Sequence, residues 1–114
     1  MPRPKKCRKV CSMPKVLEFS AHDGVKEFVT LTVDEYESIR LIDKQNFSQE
    51  ECAIYMQVAR TTAQQIYNSA RAKIAVALVD GLGIRIEGGD YQLCDGKEHN
   101  CNCGGCDRHC AKAQ

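Results

Sequence analysis

Between residues 32 and 80 the apolar side chains recur at intervals of three and four, the period of a helix with one buried face, while the flanking stretches hold only short apolar runs. Val33, Tyr36, Ile39 and Ile42 make one such stripe, and Thr32 and Glu35 have capping-box spacing, so a first helix is predicted over about 33–43. A second capping box, Ser48 with Glu51, opens a predicted helix over about 49–56 whose Cys52, Ala53 and Met56 point inward. After a break at Gln57-Val58-Ala59, a longer helix is predicted over about 60–79. Its inner stripe is Ala63, Ile66, Tyr67, Ala70, Ile74 and Leu78, and Gly81 and Gly83 stop it.

Outside this core the pattern is weaker. Val16 to Leu31, interrupted at His22-Asp23-Gly24, reads as a short irregular or hairpin-like lead-in. Ile84-Arg85-Ile86 and Tyr91-Gln92-Leu93, on either side of Gly88-Gly89, read as a small β-hairpin. The expected fold is mainly α: a basic arm over 1–16, a three-helix helix-turn-helix domain with a hairpin over 17–93, and a Cys-rich tail over 94–114.

With 114 residues the chain holds one small domain, which excludes a multidomain enzyme. No run approaches the roughly 18 apolar residues of a membrane span. No apolar stretch follows the basic start as a secretory signal requires, so the expected location is the cytoplasm, with no membrane partner. The net charge of +1 conceals segregation. Residues 1–17 carry six basic groups and no acid, residues 18–51 sum to −6, and residues 52–79 carry Arg60, Arg71 and Lys73 with no acid. Two acid-free basic segments suit a phosphate backbone, which carboxylates would repel.

The break between the second and third helices gives this charge a direction. In a helix-turn-helix the second helix enters the major groove with a polar face outward and small residues where the two helices cross. Ala53 and Ala63 are small at the crossing, and Thr61, Gln65 and Asn68 fall roughly opposite Ala63. Gln and Asn amides pair bidentately with adenine, and Thr offers thymine a hydroxyl and a methyl. Thr62 and Gln64 extend that face. Arg60, Arg71 and Lys73 flank it as phosphate contacts, and Arg3, Lys5, Lys6, Arg8 and Lys9 supply more from the arm. The expected partner is double-stranded DNA, read by a homodimer acting as a transcriptional regulator. The competing reading is an ordinary three-helix domain whose polar face meets only water. Gln57 stands where such turns usually hold Gly, and a left-handed backbone there strains a side chain.

Eight cysteines are distributed unevenly. Cys94, Cys101, Cys103, Cys106 and Cys110 crowd the end of the chain, Cys7 and Cys11 sit in the arm, and Cys52 lies alone on a buried stripe as a small core residue. Four thiols within ten residues, with Gly104-Gly105 between them, suit zinc or an iron-sulfur cluster; free or redox-active thiols and disulfides are the alternatives. A metal or iron-sulfur carrier whose helices bind protein partners is therefore the rival function. No Ser/His/Asp set, phosphate-cradling Gly loop or paired carboxylates are evident, so no enzymatic activity is expected.

The opening Met1-Pro2-Arg3-Pro4, the run from Glu35 to Asp43, Ser48-Gln49-Glu50-Glu51 and the run from Ala70 to Ala75 together resemble the small prokaryotic proteins of domain-of-unknown-function family 134. The resemblance covers roughly residues 1–93. It implies a DNA-binding protein with a helix-turn-helix similar to region 4 of sigma factors, without an established target or activity. Where that family usually has Gly-Val-Ser at the turn, this chain has Gln57-Val58-Ala59, which removes a hydroxyl cap from the third helix.

Overall fold

The computed structural model describes residues 8–11, 13–21, 24 and 27–93, and about half of them are helical. Helix α1 (Val33–Ile39) starts at the predicted capping box: Thr32 Oγ1 accepts from the Glu35 amide, and Glu35 Oε1 accepts from the Thr32 amide at 2.9 Å. It runs directly into a π-helical turn, Arg40–Lys44. Helix α2 (Gln49–Met56) opens with the second predicted box, in which the Glu51 amide donates to Ser48 Oγ and the Ser48 amide to Glu51 Oε1. Helix α3 (Arg60–Asp80) follows a three-residue turn and ends at Gly81, whose left-handed backbone is costly for residues with a Cβ.

Among the described residues five short strands accompany the helices: β1 (Arg8–Val10), β2 (Glu18–Phe19), β3 (Phe28–Leu31), β4 (Gly83–Ile86) and β5 (Tyr91–Leu93). The predicted hairpin between 84–86 and 91–93 does not form. Strand β4 lies in the middle of a three-stranded sheet, antiparallel to β2 and parallel to β3, whereas β5 pairs in parallel with β1. The reason lies in the Gly88-Gly89 corner. Both glycines have positive φ, the Val33 amide donates to the Gly88 carbonyl, and a Cβ at Gly89 would meet Asp34 Oδ1 and Thr32 Cβ within 3 Å. The corner is thus docked on the start of α1 and carries the chain away from β4 toward β1. The lead-in expected over 16–31 is likewise no hairpin, because β4 separates β2 from β3. Parallel neighbours require a crossover, and here the three helices supply it between β3 and β4.

The basic arm is shorter than the sequence suggests. Residues 8–10 form β1, and Val10 and Cys11 are buried, so these residues belong to the domain's core; Met1–Cys7 lie outside the described residues. Two apolar clusters result. One gathers Cys11, Leu41, Cys52, Tyr55 and Met56, and the other gathers Val10, Leu31, Val33, Ala70 and Ile86. Between them stands a carboxylate the hydrophobic pattern gave no reason to bury. Glu37 is fully enclosed and accepts from the Cys11 amide at 3.0 Å and from Arg40 Nε and Nη2 at 2.7 and 2.9 Å. A buried carboxylate needs such partners, and here they fasten β1 to the helical layer.

Leu78, placed on the inner stripe from periodicity, is 76% exposed. Helix α3 is about 31 Å long, against about 18 Å for the twelve residues from Val33 to Lys44, so its last turns extend beyond the surface that α1 offers.

Glu35 joins α1 to the middle of α3. Its Oε2 accepts from Ser69 Oγ at 2.5 Å and its Oε1 from Lys73 Nζ at 2.8 Å. Burial opposes the charged form, but the hydrogen bonds from Lys73, Ser69 and Thr32 outweigh it and hold the carboxyl below its ordinary value of 4.5. A carboxyl lowered on folding adds stability that is fully present above its unfolded value and lost as pH falls through the folded one. Glu35→Gln is expected to cost about 1–3 kcal/mol at neutral pH. Its deficit relative to the parent should shrink as pH drops below about 4.5, as read by urea melts across pH. A deficit independent of pH would contradict this role for Glu35.

Candidate nucleic-acid interface

The α2–turn–α3 unit is built from small and apolar residues on its inner side. Ala53 and Ala63 are buried where the two helices meet, with Cys52 and Met56 beneath them and Val58 packed against their cluster. Burial, with the Glu37 charge adding to it, pushes the Cys52 thiol up to about 12, so it remains a neutral core group as its position on the stripe suggested. The turn is closed by amides donating back into α2: Val58 to the Ala53 carbonyl at 3.0 Å and Gln57 to Ile54 at 3.2 Å. Gln57 adopts the left-handed conformation, φ 60° and ψ 46°, that its turn position called for.

On α3 the inner face is set by Ala63, Ile66, Tyr67 and Ala70, all buried. Tyr67 Oη donates to Asp43 Oδ1 at 2.7 Å, and this bond, together with burial, raises the phenol above its ordinary value. With that side fixed by α1 and the π-helical turn, Thr61, Gln64, Gln65 and Asn68 are all exposed on the other, and Thr62 is half-buried at the edge. The face is free of charged groups between Arg60 and Arg71. Both arginines are exposed, and Arg71 lies 5.5 Å from the Tyr67 ring centre.

The remaining cations divide. Lys73 is turned inward to Glu35, and Arg8 reaches Asp90 at 3.5 Å and Asp34 at 3.9 Å, so both serve the fold. Lys9 sits 4.7 Å over the Tyr55 ring, which brings this part of the arm against α2. Arg3, Lys5 and Lys6 lie outside the described residues. Glu50 and Glu51 belong to the first turn of α2, about 8–9 Å along the helix axis from its C-terminal end.

The start of α3 lacks a side-chain cap. Ala59 is its N-cap residue in extended conformation and makes no capping bond, so the first amides of α3 point outward without a hydroxyl to receive them. Such an end favours an anion. Sequence reasoning gave Glu35 only its capping role and missed the bonds from Ser69 and Lys73 to Glu35 and from Tyr67 to Asp43, which set the rotation of α3. The Glu35-to-Lys73 link spans 38 positions and leaves no local signal.

The cysteines proposed as metal ligands, Cys94, Cys101, Cys103, Cys106 and Cys110, lie outside the described residues. Among the described residues no group of three His, Cys, Asp or Glu side chains converges. No helix among them is long and apolar enough to cross a membrane.

Among the described residues, three α-helices, two short sheets and an outward amide-rich face on the longest helix define a small mixed-structure protein of mainly helical character. The chain belongs to the family described as protein of unknown function DUF134, whose model matches residues 1–94. It is 54% identical over 107 residues to a UPF0251 protein of Desulfitobacterium hafniense (strain Y51), covering 91% of this chain and 86% of the relative. It is 49% identical over 104 residues to a UPF0251 protein of Caldicellulosiruptor bescii, covering 91% and 74%. A UPF0251 protein of Thermoanaerobacter pseudethanolicus is 50% identical over 98 residues, covering 83% of each chain. No solved structure matches.

Restoring a hydroxyl at the N-cap is expected to stabilise α3: Ala59→Ser should raise the unfolding free energy by about 0.5–2 kcal/mol. Chemical denaturation checks this, and an unchanged or lowered midpoint would contradict the uncapped geometry.

Proposed function

We propose that the protein is a sequence-specific DNA-binding transcriptional regulator that places the first half of α3 in the major groove as the second helix of a helix-turn-helix. The observation carrying this reading is the exposed row Thr61, Gln64, Gln65 and Asn68, on a helix whose opposite side is buried and hydrogen-bonded in place. Its donors and acceptors suit base edges, whereas a face selected only for water has no need of an acid-free setting. Arg60 and Arg71 at either end, the uncapped amides of α3, and the arm with Arg3, Lys5 and Lys6 reach phosphates. Lys73 and Arg8, which have carboxylate partners in the fold, contribute less. A homodimer reads two half-sites about one helical turn of DNA apart.

Gln65→Ala should lower affinity for a selected genomic sequence by about 1–3 kcal/mol and relax preference at one base position. Lys6→Ala should weaken all sequences alike and flatten the salt dependence. Titration of labelled duplexes at several salt concentrations separates the two effects. Equal binding by Gln65→Ala and the parent would overturn the assigned face.

The tail adds a metal, zinc or an iron-sulfur cluster, held by four thiolates among Cys94, Cys101, Cys103, Cys106 and Cys110, as a structural staple or a sensor. The soft sulfur donors and their close spacing support this reading. Replacing Cys103 and Cys106 together by Ser should lower the metal content of anaerobically purified protein, measured by elemental analysis. An unchanged content would remove the metal from the proposal.

A further inference from the structure

An open cleft of about 470 Å³ lies between the segment following β1 and the junction of α1 with the sheet, on residues that the DNA-binding proposal does not use. Its floor is formed by side chains only partly covered by the core, Tyr36, Ile39, Ile74 and Ile84. Val16 and Phe19, about half exposed, stand at its rim. Among the described residues the charged and amide side chains of the lining are Lys15, Arg40, Lys44 and Gln45, with no carboxylate. Arg40 is neutralised by Glu37 behind it, but among the described residues neither Lys15 nor Lys44 has an ion-pair partner. The π-helical turn Arg40–Lys44 forms one wall, with the Gln45 amide bonded back to the Arg40 carbonyl at 3.0 Å. Such turns are rare and occur frequently at functional sites. Here the turn puts Arg40 and Lys44 on the same cleft as the apolar floor.

We propose that this cleft binds a small amphipathic carboxylic acid, its alkyl or aryl body on Tyr36, Ile39, Ile74 and Ile84 and its carboxylate between Lys44 and Lys15. The volume falls in the range of ligand pockets, roughly 300–1,000 Å³. An apolar body completes the burial of four half-covered core side chains, and a carboxylate offsets two cations that line the same cleft. An uncharged apolar ligand satisfies only the first condition, and an amine is repelled. Because Lys15 follows β1 and Lys44 ends the π-helical turn, the bound acid links the arm side of the molecule to the helical layer.

The test uses the full chain, with decanoate as probe and decanol and decylamine as controls, read by calorimetry and by methyl shifts of Ile39, Ile74 and Ile84. The expected result is saturable binding of one decanoate per chain, about tenfold or more tighter than decanol. Lys44→Glu and Lys15→Glu, both at exposed positions, should each weaken decanoate roughly tenfold with unchanged melting, and Lys44→Arg should retain it. Decanol binding as tightly as decanoate, no saturable binding of decanoate, or shifts confined to other methyl groups would overturn the proposal. Methyl shifts that follow protein concentration alone would place a second copy in the cleft and overturn it as well.

Discussion

The rotation of α3 about its own axis is the constraint on which the rest depends, and the Glu35 carboxylate does most to set it. Apolar packing through Ala63, Ile66 and Ala70 brings the helix against α1 but resists a twist only weakly, because neighbouring apolar residues substitute for one another. Hydrogen bonds are directional. Glu35 receives both Ser69 and Lys73, and Asp43 receives Tyr67, so two consecutive turns of α3 are fixed to α1 and its π-helical extension. A twist of one residue would break these bonds inside a partly desolvated layer and leave the buried Glu35 carboxylate with only the Thr32 amide. With that side fixed, Thr61, Gln65 and Asn68 have no choice but to face outward.

A second buried carboxylate, Glu37, does for the arm what Glu35 does for α3. It receives the Cys11 amide at the end of β1, and this seats Val10 and Cys11 in the two apolar clusters. Strand β1 then lies beside β5 and brings Lys9 over Tyr55 of α2.

The helices were legible because their signals are local. Two capping boxes, Thr32 with Glu35 and Ser48 with Glu51, mark starts that the structure reproduces, whereas Gln57, whose side chain argued for a looser turn, adopts the left-handed backbone all the same. The strands were less legible: a three-residue run such as Tyr91-Gln92-Leu93 specifies extended backbone but not its partner. Gly88-Gly89 suggested a tight return, whereas docking of that corner on Thr32 and Asp34 sends the chain to β1. The burial of Glu37 leaves no mark in the hydrophobic pattern, because its cost is met by Arg40 and by a backbone amide from a distant strand. Leu78 followed the helical period correctly yet had nothing to pack against, since periodicity describes one helix and burial needs two.

The face at Thr61, Gln65 and Asn68 is most directly tested by following the side-chain amide resonances of Gln64, Gln65 and Asn68 while titrating a duplex selected from genomic fragments and then a scrambled duplex of equal length. The account predicts large, saturating shifts of Gln65 and Asn68 with the selected duplex and small, salt-sensitive shifts with the scrambled one. Identical responses to both duplexes, or shifts confined to residues beyond Lys73, would contradict it.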